Sequence, residues 1–470
     1  MNGLYTSDTI VALATATGAG AIGVIRLSGN EAIAIADSIF KAHHAKPLAE
    51  VATHTVHLGM IEAEGHQIDE CLATVFKGQR SYTGEPVVEF SCHGSSYIIA
   101  QVMKSCLAKG ARLAEAGEFT KRAFLNGKMA LSQAEAVADL IASDSEASHR
   151  VALQQMRGGF ASEIETLRGE LLNFASLIEL ELDFAEEDVA FADRDSFKAL
   201  LSHIKQTITQ LVASFSVGNV LKNGMPVAIV GKPNAGKSTL LNALLNEERA
   251  IVSDIAGTTR DTIEEVLHIG GIAFRFIDTA GIRETHDAIE AIGVQRAKEK
   301  IAKAQIVIFL YNQHDDDTVT DVVAFVKEHY REGVFFVLVH NKIDLYTEGV
   351  DTFDEQVRHA LVGYNITLLT LSAKERVYLE ELKQSLTNYA QQINKAAAGN
   401  TVVTNLRHYE ALQQALTAVE RVEEGLASGL SADLLAIDIR ETLYYLGSIT
   451  GAVSNDEVLG NIFSKFCIGK

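Results

Sequence analysis

Positive charge is in short supply. Against 61 Asp and Glu the 470 residues carry 41 Lys and Arg, a formal net charge of −20 at pH 7. A chain this acidic does not grip nucleic acid over its whole surface, so any RNA contact needs a local basic patch or a partner chain. Also missing is an apolar run of the ~18 residues that span a bilayer. The opening MNGLYTSDTI has no basic segment leading into an apolar core and does not read as a signal peptide. The four cysteines, Cys71, Cys92, Cys106 and Cys467, form no CxxC pair, which argues against a zinc knuckle or a thioredoxin-like site. These absences describe a reduced, cytoplasmic protein. What is present is ordinary globular composition, 47 % apolar and 22 % charged. It excludes disorder and disulfide scaffolds as global descriptions. The length predicts about three domains, each able to bury a core.

Three textures follow one another. Residues 1 to 125 mix short β-branched runs with glycine (IGVIRLSG, ATVFKG, PVVEFSCHG) and predict α+β structure, with a helix near Ile98 to Lys109. From Ala130 to Val217 the pattern turns helical: Ile164, Leu167, Leu171, Phe174, Ile178 and Leu182 recur at spacings of three and four. From Lys222 onward VAIVG, FRFIDTAG, IVIFLY, FFVLVHNKID and ITLLTLSAK alternate with helical stretches, which is how a mostly parallel, doubly covered sheet is written. After Glu380 helices return, with Leu412, Leu416, Val419, Val422 and Leu426 on one face and Leu435, Ile439, Leu443 and Leu446 on another. Both helical flanks need cover. The expected arrangement packs them together with the α/β unit inserted between; the alternative is two separate helical domains. The expected segments are 1–125, 126–221, 222–390 and 391–470.

The strongest motif is Gly231-Lys-Pro-Asn-Ala-Gly-Lys-Ser238, a GxxxxGK[ST] loop that follows VAIVG and opens the helix TLLNALL. Its backbone amides, in Asn234, Ala235, Gly236, Lys237, Ser238 and Thr239, suit phosphates, and the helix N-terminus adds positive potential. Lys237 is expected to reach the outer phosphates and Ser238 to hold Mg²⁺. Asp278, Thr279, Ala280 and Gly281 close the next apolar strand as a DxxG element, whose aspartate suits the magnesium shell. Asn341, Lys342 and Asp344 lie in an NKID sequence at a strand end. A carboxylate there accepts from guanine's ring N–H and amine, which adenine cannot offer. Ser372, Ala373 and Lys374 follow the next strand and present a backbone N–H to the guanine oxygen. Between the first two motifs lies a switch-like segment containing Ser253, Asp254, Ile255, Ala256, Gly257, Thr258 and Thr259, in which either threonine can complete the magnesium shell.

One absence matters for chemistry. Ras-like GTPases carry a glutamine after the DxxG glycine, and here that position is Ile282. Arg283, Glu284, Asp287 and Glu290 are the nearby candidates for orienting water, and the residues alone do not choose among them. The last five residues are Phe466-Cys-Ile-Gly-Lys470. A cysteine this close to a terminus reads first as part of a frayed tail; a residue reaching into an active site is the sharper alternative.

GKPNAGKSTLLN, DIAGTTRD, DTAGIRET, NKID and the closing FCIGK resemble the MnmE (TrmE) family of tRNA-modification GTPases. AIGVIRLSG, SYTGEPVVEFSCHG and AGEFTKRAFLNGKMALSQAEAVADLI extend the resemblance over essentially the whole chain. It implies a multidomain protein: an α+β N-terminal folate-binding and dimerisation domain, a helical domain, and an α/β P-loop GTPase domain inserted into the helices. It implies a homodimer acting with an FAD-containing partner, MnmG, on carbon 5 of the tRNA wobble uridine, with a one-carbon unit from 5-formyltetrahydrofolate or a related folate. The folate positions are then Arg26, Glu85 and Lys128, with Lys470 reaching in from the tail; taken alone, each reads as a solvated charge. The family also implies K⁺ held by Asn234, Ser253, Ile255 and Thr258, Mg²⁺ held by Ser238 and Thr259, water oriented by Glu290, and a catalytic set of Glu290, Asn234, Lys237 and Cys467. Ala116 stands where the family pattern has proline, a turn change with no functional weight.

Rival readings are a ribosome-assembly GTPase, a GTP-controlled interaction switch, and a stand-alone folate enzyme with a regulatory GTPase. The flanks are acidic and helical rather than basic. No FAD or NAD fingerprint appears. Whether RNA touches Lys121 and Arg122 is left open.

Overall fold

The computed structural model describes residues 8–44, 46–63, 65–183, 194–248, 265–277, 301–313, 317–346, 350–397 and 401–469. The switch-like segment Ser253–Thr259, the DxxG element Asp278–Gly281, Glu290 and Lys470 lie outside these residues. The chain divides into two compact units. One holds Met1–Ala138, Gln155–Ser202 and Thr417–Lys470; the other holds Asp139–Gln154 and His203–Leu416.

In the first unit seven strands form one sheet: β1 (Ile10–Leu13), β2 (Ile22–Ser28), β3 (Phe40–Ala42), β4 (Thr55–Ala63), β5 (His66–Phe76), β6 (Val87–His93) and β7 (Arg112–Leu113). Their order is β3-β4-β5-β6-β2-β1-β7, antiparallel except for β1 against β7. Along β5, Asp69, Cys71, Ala73 and Val75 are buried while Glu70 and Leu72 are exposed, the alternation of a sheet with one covered face. The cover is α1 (Ala32–Ile39) and α2 (Ser96–Ala108), which bury Ile35, Ile39, Val102 and Cys106 against Ile25, Leu27, Val75 and Phe90.

The helices that follow are α3 (Glu118–Leu125), α4 (Leu131–Ala142), α5 (Glu146–Met156), α6 (Gly159–Asp183) and α7 (Arg194–Asn223). Beyond the α/β segment come α12 (Leu406–Ser428), α13 (Ala432–Thr450) and α14 (Asp456–Phe463). α6 and α13 pack along each other. Their buried stripes, Ile164, Leu167, Leu171, Phe174 and Ile178 on one and Leu435, Ile439, Leu443 and Leu446 on the other, are those the spacing predicts. The two flanks of the α/β segment therefore share a helical domain, and two separate helical domains are set aside.

The second unit carries β8 (Met225–Gly231), β9 (Glu265–Ile269), β10 (Ile272–Phe276), β11 (Ile306–Tyr311), β12 (Phe335–His340) and β13 (Ile366–Thr370), in the order β13-β12-β11-β8-β10-β9. All neighbours are parallel except β9 against β10. The continuous apolar runs follow from cover on both faces. One face of β8, β11 and β12, through Val227, Ile229, Ile308 and Val339, packs on α8 (Lys237–Glu248) and α11 (Leu379–Ala397). The other, through Ala228, Val230, Phe309 and Leu338, packs on α9 (Val319–His329) and α10 (Val350–Ala360). The break expected at residue 390 falls inside α11. β9 lies outside the apolar runs that the sequence predicts as strands. Its signal was the Gly270-Gly271 pair, both at positive φ, in the two-residue turn to β10. Among the described residues, no helix is long and apolar enough to cross a membrane.

Candidate functional site

The loops after β8, β12 and β13 leave the carboxyl edge of one parallel sheet, where open α/β sheets bind ligands. Lys237 begins α8, and its Nζ donates to the carbonyls of Gly231 (2.9 Å) and Lys232 (2.8 Å), so its ammonium sits inside the loop it closes. Ser238 and Thr239 occupy the first turn of that helix. Asn234 takes a left-handed conformation, φ 63°. Gly236, at φ 98°, is required by packing: a Cβ there would lie 2.2 Å from Asn341 Nδ2.

That contact reveals the task of Asn341. It is 2 % exposed. Its Nδ2 donates to the Ala235 carbonyl (2.8 Å) and its Oδ1 accepts from the Ala373 amide (3.0 Å). Asn341 thus ties the phosphate loop to the loop after β13. Ser372, fully buried, donates its hydroxyl to Asp344 Oδ1 at 2.5 Å and accepts the Glu375 amide at 3.1 Å. Asp344 itself is exposed, with one oxygen fixed by Ser372. Lys342, at φ 64°, turns the chain between Asn341 and Asp344. Lys374 is exposed and meets Glu375 at 3.5 Å. Asn234, Ala235, Gly236, Lys237, Ser238, Asn341, Asp344, Ser372 and Ala373 are therefore brought to one edge of the sheet.

Behind this edge lies a buried set that sequence reasoning missed. His340 Nδ1 meets Asp354 Oδ1 at 2.9 Å, and the Tyr311 hydroxyl donates to the same oxygen at 2.8 Å. Burial and the neighbouring Asp354 push the Tyr311 hydroxyl well above its ordinary pKa, so it stays a donor. Lys232 bridges to the buried Asp317 (3.0 Å) and to Asp321 (3.3 Å), fixing the outer limb of the phosphate loop. No spacing in the sequence announces these contacts, because each joins residues from different elements.

In the first unit, Arg26, Glu85 and Lys128 meet around one loop, residues 79–85. Arg26 Nε pairs with Glu89 at 2.7 Å, and its guanidinium lies over the rings of Phe119 (5.5 Å) and Tyr82 (5.8 Å). Glu85 accepts from the Ser28 hydroxyl (2.8 Å) and from Arg122 Nη1 (3.3 Å). Lys128 Nζ donates to the Gln79 carbonyl at 2.7 Å, and its stem lies against Gly84. The reading of Arg26 and Glu85 as solvated charges fails: their side chains are 17 % and 21 % exposed and both are held by ion pairs.

The residues that hold this corner were not visible in the sequence. Arg122, 7 % exposed at its side chain, binds Asp8 Oδ1 (2.8 Å), Glu118 Oε1 (3.0 Å) and Glu85. Arg112 binds Glu118 Oε1 at 2.6 Å and Asp8 Oδ2 at 2.5 Å. Arg122 is therefore committed inside the protein and not offered to RNA. Burial alone would raise the Glu118 pKa; hydrogen bonds from Arg112, the Glu115 amide and Arg122 outweigh it and hold the carboxyl below its usual range. A carboxylate whose folded pKa is depressed stabilises above its unfolded pKa, near ~4.3, and that contribution is lost as pH falls through the folded value. The thermal midpoint of the first unit is expected to drop on acidification below about pH 4. Glu118→Gln is expected to flatten that acid limb; an unaltered limb in differential scanning calorimetry would discard the account.

The tail is not frayed, which corrects the first reading of residues 466–469. Phe463 and Phe466 pack with Leu131, Ala134 and Leu459. Ile468 bridges to Ala116, the Gly117 amide donates to the Cys467 carbonyl (3.4 Å), and Arg26 Nη1 donates to the Gly469 carbonyl (3.3 Å). Gly469, at φ 97°, leaves no room for a Cβ, which would stand 2.2 Å from the Leu13 carbonyl. Cys467 is exposed beside this strap. The Ala116 departure from the family pattern thus falls where the tail docks.

A GxxxxGK[ST] loop between strand and helix, tied through one buried asparagine to the loop after β13 at the carboxyl edge of the sheet, is the arrangement of a P-loop GTPase. The sequence model described as "MnmE helical domain" matches residues 131–467, and that described as "GTP-binding protein TrmE N-terminus" matches residues 9–128. The first match spans the whole parallel sheet, so the GTPase domain is an insertion in the helical domain. The tRNA modification GTPase MnmE of Flavobacterium johnsoniae is 57 % identical over 99 % of this chain and 100 % of its own length. Those of Cytophaga hutchinsonii (53 %, covering 99 % and 98 %) and Bacteroides fragilis (52 %, covering 98 % and 99 %) are similar. A solved structure of Era in complex with MgGDPNP and nucleotides of 16S ribosomal RNA aligns over 41 % of this chain and 65 % of its own at 27 % identity, with a TM-score of 0.28. The chain belongs to the MnmE family of tRNA modification GTPases.

Proposed function

We propose that the chain binds GTP at the carboxyl edge of the second unit's sheet and spends its hydrolysis on modification of the tRNA wobble uridine at carbon 5. The observation that supports the nucleotide assignment is the Ser372–Asp344 hydrogen bond beside the Asn341 tie, which fixes one oxygen of an exposed carboxylate at the sheet edge. Lys237 takes the outer phosphates, with Ala235, Gly236, Ser238 and Thr239 offering backbone amides. Ser238 would hold Mg²⁺ together with Thr259; its hydroxyl, on the first turn of α8, is the donor type such a site uses. Asn234 with Ser253, Ile255 and Thr258 would hold K⁺, and either cation supplies positive charge against the phosphates. Glu290 orients water, since Ile282 has no polar atom to do so.

In the first unit the charges that fit a glutamate-tailed folate are Arg26, Lys128 and Lys470, with Glu85 available to a pterin-type amine. This site supplies a one-carbon unit when loaded with 5-formyltetrahydrofolate or a relative. Cys467 stands at the strap that Arg26 pins. The acting form is a cytoplasmic homodimer, working on tRNA with the FAD-containing MnmG. Family membership sets aside the ribosome-assembly reading.

Nucleoside mass spectrometry of bulk tRNA tests the proposal. Deletion is expected to remove aminomethyl-type wobble uridines; the intact gene restores them and a gene lacking Cys467–Lys470 does not. Unchanged wobble uridines would leave a GTP-controlled interaction switch. The hydrolytic residues have their own check. Glu290→Ala is expected to lower single-turnover hydrolysis by roughly 10²-fold or more with GTP binding retained, and Na⁺ in place of K⁺ is expected to slow the unaltered protein. Equal rates in both salts would argue against the cation site.

A further inference from the structure

A second feature of the first unit has no part in the site above. Between the β4–β5 hairpin, the end of α1 and the outer face of α2 lies an open groove of about 600 Å³, within the ~300–1,000 Å³ usual for ligand sites. Among the described residues Lys41, Lys104, Lys109 and His66 line it with one carboxylate, Glu62, which pairs with Lys41. Tyr97, Gln101, Lys104 and Ala108 recur at spacings of four, three and four on α2, so one helix face supplies an aromatic ring, an amide and an ammonium in a row. Tyr97 is 68 % exposed, so its ring is open to a stacking partner.

We propose that this groove holds the sugar–phosphate backbone of the RNA substrate, with Lys41, Lys104 and Lys109 meeting phosphates and Tyr97 offering a stacking face to a base. The inference rests on the reading that the chain touches tRNA itself. The charge balance carries it: a chain of net charge −20 repels a polyanion over most of its surface, so lysines gathered in one groove mark where a phosphate backbone can approach. An open, polar floor with Gln67, Gln101 and Ser105 suits a backbone read by charge and amide donors rather than a small apolar ligand.

The test is lysine acylation footprinting of the full chain by mass spectrometry, with bulk tRNA and, separately, inorganic pyrophosphate as probes. Expected is a loss of at least about threefold in reactivity at Lys41, Lys104 and Lys109 with tRNA and none with pyrophosphate, alongside a K41Q/K104Q/K109Q variant that binds tRNA roughly tenfold more weakly and lowers the salt dependence of log K by about 2, at ~0.7–0.9 per phosphate. An unshifted thermal midpoint shows that the variant folds. Equal protection by pyrophosphate would make the groove a small-anion site and overturn the RNA assignment. Protection elsewhere with these three unprotected would overturn the groove and leave the tRNA reading standing. No tRNA binding by the unaltered chain would overturn both.

Discussion

Replacing Asp344 by Asn is expected to cut GTP affinity by at least about 10²-fold while admitting xanthine nucleotides. In the proposed binding the carboxylate accepts two hydrogen bonds from guanine, each to a charged acceptor and worth about 1.5–3 kcal/mol. An amide cannot accept both, and its NH₂ faces guanine's own amine. Xanthine has a carbonyl at that carbon and suits the amide. The scaffold makes the switch clean. Ser372 holds Asp344 Oδ1 at 2.5 Å, and the same hydroxyl can hold the amide oxygen of the D344N variant, which turns the NH₂ to where the free carboxylate oxygen stood. Competition of GDP and xanthosine diphosphate against a fluorescent guanine nucleotide reads both halves. Undiminished GDP affinity, or no gain for the xanthine nucleotide, would sink the assignment of the loop after β12. Ser372→Ala is expected to produce a smaller loss, since the carboxylate would keep its charge and lose its orientation.

Arg122→Ala is expected to be the most damaging change in the first unit. Its guanidinium is surrounded by Asp8, Glu85 and Glu118; Arg112 also pairs with Asp8 and Glu118, but Glu85 loses its guanidinium partner. Breaking a buried pair by removing one partner costs about 3–5 kcal/mol, and the lower end applies because Glu118 alone of the three carboxylates is buried and Arg112 still pairs with it. In a unit of this size each kcal/mol moves the midpoint by roughly 2–4 °C, so a fall on the order of 10 °C is expected. Arg122→Lys, which keeps the charge and loses the forked donors, is expected to recover part of it. Calorimetry separates the units: the transition of the nucleotide unit, identified by its rise with added GDP, should stay in place. If both transitions shift equally, the network is not local to the corner of Glu85.

The nucleotide loops are legible in the sequence because a phosphate cradle and a base-reading carboxylate are local devices. Their residues lie within a few positions of one another, and strand and helix on either side announce themselves by apolar period. The helical stripes on α6 and α13 are legible for the same reason, since a 3.6-residue period is written into every turn. By itself the sequence thus determined the parallel sheet, the order of its motifs and the family resemblance.

Three-dimensional packing decided what joins distant positions. That Asn341 bonds to Ala235 and Ala373, that Arg122 closes on Asp8 and Glu85, and that Arg26 pins the Gly469 carbonyl are contacts across roughly 30 to 440 residues. Each partner there is an ordinary polar residue whose sequence neighbours carry no mark of the contact. Burial makes such groups pair, because an unpaired charge or amide out of water costs more than any local preference; which residues pair is fixed only when the sheet and helices close around them.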